Sequence, residues 1–148
     1  MESSDWLIVE SPGNWKIDAH NGLTFFGVTG RFKYLKDRAK EGDRTFAYMS
    51  GNNAFADVRL VTKSGLRTLR GGGDYEMALP FCVDTKPTLT LPEDRWIPMS
   101  EVRERLKLTL GKQHWPHVLR TAFNKLEPED GALLAEEMKA RLAPEGQS

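Results

Sequence analysis

The sequence predicts an α+β fold, a small mixed sheet or partly closed β-barrel with short helices at its edges. Three observations carry this. Short apolar, β-rich runs recur along the chain, each cut by Gly, Pro, Asn or Ser turn signals. Helical periodicity is confined to short stretches, apart from one amphipathic segment near the end. Strands are not regularly interleaved with long helices, which argues against a doubly wound parallel sheet. At 148 residues, 39% hydrophobic and 28% charged, the chain suits one domain over residues 1–148 with one real core.

The elements follow in order. Asp5–Glu10 (DWLIVE) is a buried strand, stopped by Ser11-Pro12-Gly13. Pro12, Gly13 and Asn14 form a turn that leaves Trp15 exposed at the strand end. Gly22–Phe32 has three glycines among apolar residues and reads as a loop, where glycine permits close backbone approach. Arg31–Asp43 is a short amphipathic helix with Phe32, Leu35 and Ala39 inward, ended by Gly42. Arg44–Gly51 and Asn53–Lys63 are strands of a hairpin turned at Ser50-Gly51-Asn52. Ser64–Asp74, with its three consecutive glycines, is a surface loop. Tyr75–Pro92 is one bent strand or two, with Pro80 and Pro87 marking edges or bulges. Pro98–Lys107 holds a short helix capped by Ser100 and running through Leu106. A helical turn follows Pro116. Glu127–Leu142 is a helix with Pro128 in its first turn and Leu134, Met138 and Leu142 as its docking stripe. Ala143–Ser148 is a disordered tail. Trp6, Phe46, Phe55 and Phe81 fall within strand patterns and belong to the core.

Several function classes are disfavoured. No run of eighteen apolar residues spans a membrane, and the first residues lack a basic, then apolar, secretory pattern, so the cytosol is expected. The single cysteine, Cys82, sits in an apolar run and reads as a small buried hydrophobe. The sequence holds three histidines; His114 and His117 are spaced i, i+3, but Pro116 lies between them and no carboxylate is near in sequence, so no metal or cofactor is expected. There is no nucleophile elbow, no His-Glu-x-x-His and no Cys-x-x-Cys. Net charge is zero but unevenly spread: residues 31–125 carry eighteen Lys and Arg against eleven acids, a net of +7. That middle can face a polyanion. Trp15, Phe25 and Trp115 lie in polar or Gly/Pro-rich surroundings near element ends, which suits a pocket for a flat ligand.

The order of segments resembles the EVE-domain family, a PUA-like group related in fold to YTH and ASCH domains. DWLIVES resembles its first strand. FFGVTGRFKYLKDRAKEGDRTFAYMSG is similar to its middle motif, VDTKPTLTLPEDRWIPMSEVRERLKL to its β-arm and Leu-rich helix, and KQHWPHVLR with LEPEDGALLAEEM to its closing segment. The resemblance implies a PUA-like mixed barrel of about five or six strands. It implies no enzyme, but a module that takes an extruded, modified nucleobase of DNA or RNA into an aromatic pocket. Carried over by position, the pocket would involve Ser11, Trp15, Phe25, Phe26, Gly27, Val28, Thr29, Gly30, Ser50, Asn52 and Trp115. Arg31, Lys33, Lys36, Arg67, Arg70, Lys112 and Arg120 would meet the nucleic-acid backbone. Two alternatives stay open: a binder of a free nucleotide or other planar molecule, and a small hydrolase using His114 or His117.

Overall fold

The computed structural model describes residues 3–28, 39–68, 79, 81–111 and 123–142. Within them the elements run β1 (Asp5–Glu10), α1 (Pro12–His20), β2 (Phe25–Val28), β3 (Arg44–Met49), β4 (Ala54–Val61), β5 (Arg67–Thr68), β6 (Phe81–Thr90), a 3-10 turn (Glu93–Arg95), β7 (Ile97–Pro98), α2 (Met99–Val102), β8 (Phe123–Leu126) and α3 (Pro128–Leu142). The strands form one curled mixed sheet in the order β2-β6-β4-β3-β1-β8, with β5 on β6 and β7 on β4. This is the α+β half-barrel architecture that the sequence predicts. The five or six strands expected become eight, two of the additions being only two residues long.

β1 pairs parallel with β3 and antiparallel with β8, so it lies inside the sheet and its centre, Trp6-Leu7-Ile8, is buried. Strands covered on both faces read as continuous rather than alternating apolar runs, and β3 and β4 do so. Their hairpin turns where expected, with Gly51 and Asn53 at positive φ. β6 bends. Its first half pairs with β2 and β5, and its second half with β4, where the register slips between Val58 and Arg59 opposite Pro87. Proline has no N–H for the ladder; beside it the Thr88 hydroxyl donates to the Val58 carbonyl at 3.0 Å. Trp6, Phe46 and Phe55 are core, and Phe81 packs against it half-buried. Cys82 is buried. Along α3, Leu134 and Met138 are buried and Leu142 packs against the core, the stripe that the periodicity predicts.

Four expectations are corrected. Pro12–His20 is a helix, not a turn: Ser11 caps it by accepting the Asn14 N–H at 3.1 Å, and Pro12 occupies the first turn. Ser-Pro followed by Gly-Asn suits a turn and a helix start equally well, because both use the same capping chemistry. Phe25–Val28 is a sheet strand rather than part of a loop, its four residues paired with Asp84 back to Phe81. The helix expected through Leu106 stops at Val102, and Pro98, not Ser100, is its cap residue. Arg67-Thr68 form a short strand inside the segment expected to be a loop. β8 had no counterpart among the sequence expectations. The helix over 31–43, the glycine triplet, the helical turn after Pro116 and the tail fall wholly or largely outside the described residues.

Two aspartates fasten the sheet ends. Asp43 accepts the Ser4 N–H (2.8 Å), the Trp6 indole N–H (2.9 Å) and the Lys40 N–H (3.0 Å). Asp130, in the first turn of α3, accepts the N–H groups of Lys107 and Leu108 at 2.7 and 2.9 Å. Next to it, Gly131 lies so close to Asp5 that an added Cβ would overlap the Asp5 carboxylate, which Arg44 holds in place through two hydrogen bonds of 2.9 Å. In an unobstructed helix Gly→Ala stabilises by roughly 0.8–1.0 kcal/mol. Here Gly131→Ala is expected to destabilise by about 1–3 kcal/mol through overpacking, read by urea unfolding, and most of that loss should disappear in an Asp5→Ala background.

Candidate functional site

The candidate site forms where α1 crosses the sheet. Asp57 and Arg59 are two residues apart in β4 and so project from one face. Both are fully buried. Arg59 donates from Nε to Asp57 Oδ1 (2.8 Å) and from Nη2 to Asp57 Oδ2 (3.1 Å). It also donates from Nη2 to Glu10 Oε2 at the end of β1 (2.9 Å), and from Nη1 to Asp18 Oδ2 on α1 (3.3 Å). The Phe26 ring of β2 lies 6.0 Å from the guanidinium carbon. Trp15, one helical turn before Asp18, donates its indole N–H to Asp57 Oδ2 at 2.6 Å. Its ring meets Trp96 edge-on, with centroids 5.1 Å apart and planes at 80°. Trp96 is held in turn by its own N–H on the Leu91 carbonyl at 3.1 Å.

The electrostatics of this cluster are unusual. One cation faces three carboxyl groups. Burial alone would pull the Arg59 pKa down, but Asp57, Glu10 and Asp18 outweigh it and raise it, so the guanidinium stays charged. Glu10 goes the other way from an ordinary carboxyl. Burial pushes its pKa well up against the pull of Arg59, and the neighbouring Asp18 carboxylate raises it further by accepting a hydrogen bond. Glu10 is therefore harder to ionise than an ordinary carboxyl, and its hydrogen bond with Asp18 adds to that.

The structure brings some of the sequence-predicted site residues together and separates others. Trp15 and Phe26 each contact one member of the Asp57–Arg59 pair, Trp15 half-buried and Phe26 sealed in the core. Ser11 serves as the cap of α1. Ser50 ties the hairpin to the end of β1, its N–H and hydroxyl both donating to the Glu10 carbonyl, at 2.8 and 3.2 Å. Asn52 is exposed in the turn. Gly27 and Val28 are paired in β2. Phe25 points to the opposite face from Phe26, where Arg67 lies 5.5 Å above its ring. Arg67 is also ion-paired with Asp84 at 2.9 Å, so this expected phosphate contact already has an acidic partner. Trp15 is half-buried with its N–H engaged, not exposed as the turn reading had it. Thr29, Gly30, Arg31, Lys33, Lys36, Arg70, Lys112, Trp115 and Arg120, with His114 and His117, lie outside the described residues.

Sequence reasoning missed Glu10, Asp18, Asp57, Arg59 and Trp96. A signal was present: Asp57-Val58-Arg59 puts opposite charges two apart inside an otherwise apolar strand. Charges in such a strand require partners, because an unpaired buried charge is very costly. Among the described residues there is no His, Cys, Asp and Glu cluster able to hold a metal ion.

The architecture is that of the PUA-like EVE and YTH domains, as the order of sequence motifs implied. A YTH domain, that of Mmi1 in complex with RNA, superposes with a TM-score of 0.62 at 13% identity, over 94% of this chain and 79% of that one. Human THYN1, in complex with DNA containing 5-methylcytosine, superposes at 0.61 and 15% identity over 96% of this chain and 99% of its own. Rpa0253 from Rhodopseudomonas palustris does so at 0.64 and 17% identity, over 97% of each chain. These likenesses show the fold. No family model matches the chain, and no curated protein matches it in sequence.

Two outcomes follow from the cluster. Because native Glu10 holds a proton that the unfolded chain releases near pH 4.5, the native state binds the extra proton. The Glu10 contribution to stability is therefore complete below that pH and is lost as pH rises toward the higher native pKa. Glu10→Gln, a neutral mimic of the protonated side chain, should flatten the fall in urea-unfolding free energy over this window. A wild-type curve that parallels the variant would refute the protonated state. Arg59→Met, which leaves Asp57 and Asp18 without their cation, should cost about 3–5 kcal/mol in the same measurement.

Proposed function

We propose that this protein is a nucleic-acid-binding module that accepts one extruded, modified base against an aromatic wall, without catalysing a reaction on it. The observation that carries this reading is the fold, shared along nearly the whole chain with a YTH domain in complex with RNA and with THYN1 in complex with methylated DNA. The half-buried Trp15 supports it, as an aromatic ring held in place by a buried network. Trp115 is the second wall by the sequence resemblance, and Arg31, Lys33, Lys36, Arg70, Lys112 and Arg120 are the candidates for phosphate contacts.

The energetics are compatible with such a site. Flipping a base out of a stack costs a few kcal/mol, and each aromatic face returns roughly 1–3 kcal/mol by stacking. A methyl group on the base adds only about 0.8 kcal/mol of apolar burial. Discrimination beyond a few-fold therefore requires steric rejection or hydrogen bonding to the modified base. Salt dependence reports separately on phosphate contacts, since each one releases counterions.

Matched oligonucleotides of DNA and RNA, with and without base methylation, titrated by fluorescence anisotropy, test the reading. One modified oligonucleotide should bind more tightly than its unmodified match. Trp15→Ala and Trp115→Ala should each weaken that complex by on the order of 1–3 kcal/mol. Binding of every oligonucleotide only at the level of non-specific association rejects the proposal.

A further inference from the structure

α1 is fastened to β4 by two polar contacts. Trp15 and Asp18 are three residues apart and share a helix face; Asp57 and Arg59 share a strand face. The indole of Trp15 donates to Asp57, and Arg59 donates to Asp18, while Arg59 also grips both oxygens of Asp57. The Trp15 ring is thus fixed through its N–H, through its own helix and by the perpendicular ring of Trp96.

Such a network is a poor choice if only docking of the helix is needed. Buried ion pairs are frequently matched or bettered in stability by apolar side chains of similar volume, and Asp18, Asp57 and Arg59 are all fully buried. What it supplies is direction. A carboxylate clamped by two guanidinium hydrogen bonds fixes the line along which the indole N–H points, whereas apolar packing tolerates a range of ring angles. Trp15 is also the ring that such direction would benefit. Trp6 and Trp96 are sealed in the core at 5% and 6% exposure, whereas Trp15 stays half-buried.

We propose that Asp57, clamped by Arg59, is the positioning residue of the site: it holds the Trp15 indole at a set angle as the wall for a planar heterocycle, without itself touching the ligand. This rests on the reading of Trp15 as a wall of the base site. Pre-orientation of a stacking ring removes part of the ordering cost of binding, so Asp57 contributes to affinity through Trp15 alone.

A double-mutant cycle with an indole readout tests this. In the uniformly 15N-labelled full chain, the Trp15 indole N–H, assigned by its loss in Trp15→Phe, should exchange slowly with solvent. In Asp57→Asn, which keeps an acceptor but loses the charge, it should shift and exchange faster. Against the modified oligonucleotide that wild type binds best, Asp57→Asn should raise Kd about tenfold, and the same change in a Trp15→Phe background should raise it little further. Effects on Kd that multiply across the two backgrounds overturn the positioning role. So does an indole signal unchanged by Asp57→Asn, whether or not any oligonucleotide binds. Should Asp57→Asn fail to fold, the wild type decides the question, and exchange as fast as that of an exposed indole overturns the role. Absence of binding by wild type to every oligonucleotide is a different failure, that of the base-reading function itself.

Discussion

A guanidinium with no exposed surface sets the terms for the rest of this fold. Removing Arg59 from water is costly, and only well-placed opposite charges and hydrogen bonds offset it. Those partners come from three elements: Glu10 ends β1, Asp18 lies on α1 and Asp57 precedes Arg59 on β4. The position of α1 over the sheet is therefore not free to drift, since sliding the helix by one turn would strip Asp18 from Arg59 and Trp15 from Asp57. The same requirement reaches the hairpin, because the Glu10 carbonyl receives both donors of Ser50. Sheet, helix and turn meet at one charged point, and the half-buried aromatic ring sits beside it.

Elsewhere the molecule uses carboxylates in a simpler way. Asp43 and Asp130 are buried but accept mainly backbone N–H groups at places where the ladder cannot supply a partner: the approach to β1 and the segment before the last strand. A buried N–H without a partner costs about 1–3 kcal/mol, so one aspartate meeting two of them is an economical closure. The Glu10, Asp18 and Asp57 set differs because its carboxyl groups gather on one side-chain cation. This distinction separates carboxylates that close the fold from those that bring a functional candidate into a fixed geometry.

Much of the sheet was legible in the sequence because its strands are short, apolar and bounded by strong breakers. β1, β3 and β4 follow from DWLIVE, RTFAYM and AFADVRLV, and the bulge in β6 from Pro87. α3 was legible because a stripe at i, i+4, i+8 is unambiguous. α1 was not, since PGNWKIDAH has no apolar stripe; its inward face is Trp15 and Asp18, whose burial depends on charges in a strand 40 residues away. β2 was taken for part of a glycine loop because Gly27 is a weak strand former, and only the pairing with β6 overrides that. Of the site, the aromatics Trp15 and Phe26 were legible as types. Their common partner was not, because a Asp-x-Arg pair within a strand declares a need for compensation without saying who provides it. The whole-chain motif order conveyed the α+β half-barrel, yet it too treated the Phe25–Val28 stretch as a loop.

Charge balance within the cluster constrains any ligand further. Three carboxyl groups surround the one guanidinium, and the Asp57 carboxylate lies at the N–H edge of the Trp15 ring. A low-dielectric surrounding makes that charge felt over several ångströms. A phosphate directly above would be repelled, whereas a heterocycle with its positive edge or ring N–H groups turned inward would not. A base of the proposed kind is therefore better tolerated at this edge than its phosphate would be. The phosphates would then have to be met at a distance from the cluster, by cations not already paired. Arg67, held by Asp84 and lying over Phe25, is poorly placed for that purpose. Carboxyl groups at the ring edge and a surplus of +7 over residues 31–125 are thus compatible within one chain of zero net charge.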